Sequence, residues 1–277
     1  LVSSLLPKRT YLNFHLATHI HLHARYQKDY AGKATSASST KTMSRKSLLG
    51  LIDSLESSIE KMHWKPRKSE WVNYYSECSH VPKFLEEKIK LVTNYLDFLK
   101  PDTVWDLGAN TGVFSRIASD RGISTISMDT DPGCVEINYL QTLEKREKNL
   151  LPLWIDLNNP SPSIGWENKE RMSLQERGPA ETIFALALIH HLAISNNVPL
   201  AKIAGFLSKT CKSLIIEFVP KTDSMVQKLL ASREDIFSDY TQKAFENEFQ
   251  EFFNIVKSDK VGDSQRTLYL MKNKSHA

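Results

Sequence analysis

From residue 103 to residue 219, short apolar runs alternate with longer segments of helical spacing, and four of the five runs carry an acidic residue at or near their end. The runs are TVWDL (103–107), TISMD (125–129), LLPLWID (150–156), TIFALALI (182–189) and SLIIEFV (213–219). Each is too short for a helix and is bounded by turn-forming residues, so each reads as a strand. TIFALALI is apolar throughout, as a central strand covered on both faces must be. Helices are predicted between the strands. One runs from Gly112 to about Asp120 and is stopped by Gly122. Another runs from about Asp131 to Lys148, with Asp131 as N-cap and Pro132 at the first helical position, and a third starts near Pro199. The polar residues 167–178 are also expected to be helical. Strand and helix in alternation give a parallel α/β sheet. At the end of the chain, an apolar run near Phe252–Val256 and the strand RTLYLMK (266–272) are separated by only a turn around Lys260–Asp263. So short a link cannot make a parallel crossover and predicts an antiparallel hairpin.

Upstream, residues 84–99 place Leu85, Ile89, Val92, Leu96 and Leu99 on one helical face, and Pro101 ends the helix. Leu48, Leu49, Leu51, Ile52, Leu55 and Ile59 mark another helix from Ser47. Residues 11–30 fit helix or strand, because Ile20, Leu22 and Ala24 alternate with His19, His21 and His23. As a helix they would align His15, His19 and His23, a stripe that could ligate a transition metal but lacks a carboxylate or cysteine to complete it, so it reads as a polar face. Gly32–Ser47, rich in Ser, Thr and Lys, reads as a flexible linker. The predicted organisation is a basic N-terminal extension and linker (1–46), a helical N-terminal cap (47–100) and a sheet domain (101–277).

Charge changes this picture at one end only. Residues 1–50 hold eight Lys and Arg against Asp29 alone, a net +7, which leaves −3 on the rest of a chain of net charge +4. Such an arm suits a weak anionic partner, in nucleic acid or at a membrane surface; the plainer reading is a solvated extension. No run approaches the roughly 18 uncharged apolar residues of a membrane span. Three scattered cysteines, Cys78, Cys134 and Cys211, fit neither a disulfide framework nor a zinc site, and point to a reducing, cytoplasmic setting. The chain opens on Leu rather than Met without a signal-peptide pattern, which suggests a fragment or processed product.

The chemistry concentrates in VWDLGANTGVFSR, 104–116. A strand delivers Asp106 at its end, then Gly108 and Gly112 free the backbone to turn sharply and approach a ligand. A dinucleotide G-x-G-x-x-G would need glycines at 108, 110 and 113, and the chain has Gly108, Asn110 and Val113. The stretch instead resembles the first motif of the class I S-adenosylmethionine-dependent methyltransferases, D-x-G-x-G-x-G, matched by Asp106, Gly108 and Gly112, with Asn110 at the middle glycine. Asn tolerates positive φ better than other side chains. The resemblance covers about residues 84–272 and implies the methyltransferase fold, a Rossmann-like three-layer sandwich whose seven-stranded, mostly parallel sheet ends in the antiparallel hairpin. WVNYY, WDLGANTGVFSRIAS, ALALIHHLAISNNVPL and IIEFVPKTDSMVQKLL look like a bacterial subgroup that includes host-specific nodulation proteins, in which similar segments form the later part of a longer chain.

By this resemblance the cofactor is S-adenosyl-L-methionine, its amino-acid end held by Asp106 and the Gly108–Gly112 backbone, including Asn110 and Thr111. Asp129 lies 23 residues beyond Asp106, close to the roughly 20-residue offset that puts an acid on ribose hydroxyls. Asp131 is the competing ribose ligand. Asp156 would lie by the adenine, or else stabilise the turn NNPSPS. His190 and His191 follow the fourth strand, beside the expected methyl group, where one could act as base while the other is structural. Trp64, Trp71, Tyr74 and Tyr75 could cap the cleft or pack its flank. Glu217, Lys221, Arg233 and Tyr240 are acceptor-side candidates. The predicted reaction moves a methyl group to an oxygen or nitrogen of an acceptor, a small molecule or glycoconjugate rather than nucleic acid. No N/D-P-P-Y tetrad follows the fourth strand, which argues against the amino-methyltransferases of adenine, cytosine and glutamine. A binding module without turnover and a nicotinamide-dependent oxidoreductase are the alternatives.

Overall fold

The computed structural model describes residues 1–31, 43–62, 64, 71 and 82–276. Most of the predicted linker, together with Tyr74 and Tyr75, lies outside them. The chain forms two compact units, Leu1–Lys65 and Pro66–Ala277. In the first, residues 14–30 are helical: Phe14–Leu16, a π-turn at Ala17–Leu22 and His23–Tyr30 run on without a break. His15 Nδ1 and His19 Nε2 hydrogen-bond the hydroxyls of Ser58 (2.7 Å) and Ser54 (3.0 Å) on the helix Arg45–Glu60. His21, off the predicted stripe, is the buried histidine; it lies between Ser3 and Thr10 and stacks on Tyr11. Among the described residues no group of three or more His, Cys, Asp or Glu is placed to hold a metal ion.

The second unit is built on seven strands: β1 Thr103–Leu107, β2 Ser124–Asp129, β3 Leu150–Trp154, β4 Ala180–Ala185, β5 Cys211–Phe218, β6 Phe253–Lys260 and β7 Thr267–Asn273. They form one sheet in the order β3-β2-β1-β4-β5-β7-β6. The first five pair in parallel, and β7 runs antiparallel between β5 and β6. Sequence alternation predicted this architecture, and the terminal hairpin is present. The helices that matter here are α1 Pro82–Leu99, α2 Val113–Ser119, α3 Pro132–Lys145, α4 Leu200–Thr210, α5 Ser224–Leu230 and α6 Gln242–Gln250.

Because successive strand side chains point to opposite faces, the sheet feeds two cores. On one face Val104, Phe184, Ile215 and Leu270 meet Val92, Tyr95 and Leu96 of α1 and Phe114 and Ala118 of α2. On the other, Ile183, Leu214, Ile216 and Met271 meet Ile203 and Leu207 of α4 and Phe245 and Phe249 of α6. Asp131 caps α3 as predicted, accepting from Gly133 N (2.7 Å) and Cys134 N (3.2 Å). α3 stops at Lys145 because Arg146 turns left-handed (φ 53°).

Two element predictions need correction. Residues 167–178 are not a helix. A single 3-10 turn, Trp166–Asn168, with left-handed Gly165, Glu167 and Asn168, is closed by an antiparallel bridge between Ile164 and Arg171. The segment has no apolar stripe to bury, and helices this short need one. The apolar run from Thr182 also does not continue as strand to Ile189. β4 ends at Ala185, and Ala187 turns left-handed (φ 50°) with its N–H bonded to Glu217 Oε2 (2.7 Å), so that Leu186–Leu188 leave the sheet.

Candidate functional site

All the parallel strands deliver their C-termini to one edge, where α/β proteins bind ligands. A cleft of about 670 Å³ opens there, lined by Asp106, Gly108, Asn110, Asp129, Asp156, His190 and His191, among others. Its volume falls among those of small-molecule sites, roughly 300–1,000 Å³. Seven of the nine predicted site residues therefore share one cavity. Thr111 and Gly112 are absent from the described lining and belong to the turn beside it.

Three left-handed residues make that turn: Gly108 (φ 74°), Asn110 (φ 52°) and Gly112 (φ 80°). Asn110 adopts the conformation of the glycine it replaces, and its side chain fixes it there. Asn110 Oδ1 accepts from Thr111 N (2.7 Å) and Nδ2 donates to Trp71 O (2.9 Å). Gly108 N and Ala109 N donate to Met128 O (2.8 and 3.0 Å), tying the turn to β2. Gly112 has no room for a side chain, since a Cβ would sit 2.5 Å from Asn138 Oδ1. Arg116 clamps the far side, donating Nη1 to the carbonyls of Thr111 (2.9 Å) and Gly112 (3.2 Å) while Glu147 takes its other edge at 2.9 Å.

Asp106 is buried. Ser115 Oγ, hydrogen-bonded to Ser127 Oγ, donates to its Oδ2 at 2.6 Å. Burial pushes its carboxyl up to about 7, against the pull of the Ser115 hydroxyl. Asp129 accepts from Asn110 N (2.7 Å) and Asp131 N (2.8 Å), and burial raises its pKa as well. A carboxylate offers about four lone pairs, so beyond these bonds and a further contact from the Thr130 backbone, acceptor capacity remains for a ligand. Asp131 spends Oδ1 on the α3 cap and does not line the cleft, which separates it from Asp129. Asp156 Oδ1 accepts from Asn158 N (2.9 Å), closing the turn, and the residue also lines the cleft.

The two histidines correct one expectation, since both line the cleft. Their rings lie 4.2 Å apart, and His191 meets the Trp71 ring edge-on at 5.1 Å. Burial lowers His191 to about 4 and His190 well below the ordinary histidine value, so both are neutral at pH 7. His190 Nδ1 is buried with no hydrogen-bond partner among the described residues. Of the acceptor-side candidates, Glu217, Lys221, Arg233 and Tyr240 are all absent from the described lining. Lys221 pairs with Asp235 at 2.7 Å, Arg233 bonds the carbonyl of Ile194, and Tyr240 donates to Val219 O at 2.8 Å.

Pattern reading missed Lys88 and Arg266. Lys88 is buried on α1 with Nζ 2.5 Å from Glu217 Oε2; burial pulls its pKa down while Glu217 opposes. Arg266 grips Asp223 with Nε (2.7 Å) and Nη2 (3.1 Å) and lies 3.7 Å from Glu217 Oε1. Lys88 carried a signal, a cation on the apolar stripe between Leu85 and Val92. Arg266, in a turn, carried none.

The seven-stranded sheet, parallel except for its C-terminal antiparallel strands and flanked by helices, is the architecture that the methyltransferase resemblance implied. Over 204 residues the chain is 39% identical to the nodulation protein NoeA of Rhizobium meliloti (strain 1021), a match that takes in 73% of this chain and 43% of that protein. The chain thus spans less than half the length of this curated relative. Similar solved structures include the 16S rRNA methyltransferase RmtF in complex with S-adenosyl-L-homocysteine (18% identity, TM-score 0.48, covering 69% of this chain and 63% of that one). Another is the bifunctional kinase-methyltransferase WbdD (14%, TM-score 0.44, covering 79% and 46%). No protein-family model matches the chain. No helix among the described residues is long and apolar enough to cross a membrane.

Proposed function

We propose that the cleft binds S-adenosyl-L-methionine and that the chain transfers its methyl group to an oxygen or nitrogen of an acceptor. The observation that carries this reading is one cavity holding two carboxylates, the buried Asp106 and the half-buried Asp129, on adjacent strands either side of a left-handed, side-chain-poor turn. Asp106 answers an ammonium group, and the free lone pairs of Asp129 suit a ribose diol through charge-assisted hydrogen bonds. Asp156, which also lines the cleft, would accept from the exocyclic amine of the base. The cofactor supplies a methyl group on a sulfonium, whose S–CH₃ bond breaks as the O–CH₃ or N–CH₃ bond forms, leaving S-adenosylhomocysteine and one proton from the acceptor. His190 and His191, neutral and beside the cleft, are the groups that take or relay that proton. With pKa values this low they orient the nucleophile's hydrogen more than they abstract it, and most of the rate comes from alignment.

Calorimetry with S-adenosylmethionine, S-adenosylhomocysteine and NAD tests the binding. Both sulfur ligands should bind, and Asp129→Ala should weaken them about tenfold to a hundredfold, the loss of a hydrogen bond to a charged group worth roughly 1.5–3 kcal/mol. Tight NAD binding with no response to either sulfur ligand overturns the reading. Release of S-adenosylhomocysteine in native extract fractions, compared between wild type and Asp106→Ala, separates an enzyme from a binding module; no difference in any fraction favours the module.

A further inference from the structure

The cofactor reading accounts for the half of the cleft beyond β1, β2 and β3. The other half, beyond β4 and β5 and against the start of β7, is walled by apolar side chains, among them Phe84, Leu186, Leu188, Leu192 and Met225. Polar groups break this wall at Lys88, His190, Asp223 and Arg266. The cations there are already held. Lys88 lies 2.5 Å from Glu217, Arg266 lies 2.7 Å from Asp223, and Lys83, at the rim, lies 3.3 Å from Asp263. In this half the lining cations Lys83, Lys88 and Arg266 are matched by the lining carboxylates Glu87, Asp223 and Asp263 and by the buried Glu217. An anion entering this wall would lose its hydration and gain no uncommitted cation in return.

His190 adds a second constraint. It is 2% exposed, it lines the cleft, and its Nδ1 has no hydrogen-bond partner among the described residues. A hydroxyl or a neutral amine both donates and accepts, so it suits a neutral imidazole at the cleft wall in either tautomer, whereas a carboxylate or phosphodiester only accepts.

We propose that this second half is the acceptor subsite and that it takes an uncharged hydroxyl or amine carried on an apolar body, turning away carboxylate and phosphate acceptors. The proposal rests on the cofactor reading for the word acceptor, but the selectivity of the wall stands by itself.

Two methionines separate the two claims, because Met128 lines the cofactor half and Met225 the other. The full chain, labelled with ¹³C-methyl methionine and assigned through Met128→Leu and Met225→Leu, is titrated with S-adenosylhomocysteine and then with 3-phenylpropan-1-ol or 3-phenylpropanoate. S-adenosylhomocysteine should shift Met128. The alcohol should shift Met225 at millimolar concentration, and the carboxylate should need at least tenfold more. Asp223→Asn keeps the cap of α5, since Asn caps as well as Asp. It releases one partner of Arg266 and should narrow that ratio at least threefold. A carboxylate that binds as well as the alcohol overturns the proposal, as does a Met225 signal unmoved by either probe, or an unchanged ratio in a folded Asp223→Asn. If S-adenosylhomocysteine leaves Met128 unmoved, the cofactor reading fails while the Met225 pattern still decides the selectivity.

Discussion

Gly112→Ala isolates how the turn is held. Gly112 sits at φ 80°, and a Cβ there would lie 2.5 Å from Asn138 Oδ1, 2.6 Å from Asn138 Nδ2 and 2.7 Å from Arg116 Nη1. The backbone conformation alone costs an alanine about 1–2 kcal/mol. The contacts cost more, because neither neighbour is idle. Asn138 Nδ2 donates to Ser127 Oγ at 2.8 Å, the hydroxyl that in turn meets Ser115 under Asp106, and Arg116 holds the carbonyls of Thr111 and Gly112. Displacing Asn138 strands buried polar atoms, at about 1–3 kcal/mol. Gly122 is the internal control. It has nearly the same φ, 79°, with nothing within 4 Å of the added Cβ. Gly122→Ala should therefore show the conformational term alone, and Gly112→Ala should be worse by about 1–3 kcal/mol. At roughly 2–4 °C per kcal/mol for a unit of this size, the two melting temperatures should differ by about 2–12 °C. Thermal melts followed by circular dichroism give that difference, and calorimetry with S-adenosylhomocysteine should show binding weakened in Gly112→Ala alone. Equal melting temperatures and equal affinities would refute the claim that the packed network behind the turn, rather than its φ, excludes a side chain.

Asp106 makes a pH prediction. Its carboxyl rises from an ordinary 3.8 to about 7 on folding, so the folded state holds the extra proton and stability falls as pH climbs from about 4 to 7, by at most about 4 kcal/mol. His191, lowered from 6.5 to about 4, slopes the opposite way over the same window, so the effect is read as the difference between wild type and Asp106→Asn in denaturant melts at pH 4.5 and 7.5. The variant should gain relative to wild type as pH rises; a constant difference would count against a raised Asp106. Affinity for the cationic S-adenosylmethionine should also rise through pH 7 in wild type and stay flat in Asp106→Asn. Lys88→Met removes the closest cation from Glu217, which is fully buried and keeps only Arg266 at 3.7 Å and the Ala187 N–H, and should cost up to about 3–5 kcal/mol in urea melts. Adding Glu217→Gln should recover part of that loss, and an additive double variant would show that the pair is not coupled. Removing residues 1–46 should weaken salt-sensitive binding to RNA or anionic vesicles; binding that is unchanged, or absent from the start, makes the arm a plain extension.

Local sequence carried the strand order of the second unit and most of its helices, though it placed a helix at 167–178 that is absent and missed α6, because apolar runs of strand length and the Asp131-Pro132 cap are set by neighbours a few residues apart. It also brought Asp106 and Asp129 to one cleft, since they lie at the ends of strands whose parallel pairing follows from their alternation with helices. Asn110 at φ 52° is what an asparagine in place of a glycine predicts. Tertiary structure decided the rest. Lys88 meets Glu217 across 129 residues and Arg266 meets Asp223 across 43, pairings that exist only because β7 returns beside β5 and α1 covers them. The same Glu217 ends β4 early by holding the left-handed Ala187, and both histidines then line the cleft where strand alternation would have given it one. Periodicity reports which face a residue takes along its own element; which element stands opposite is set by the order of strands in the sheet, and that order is where the second half of the site was made.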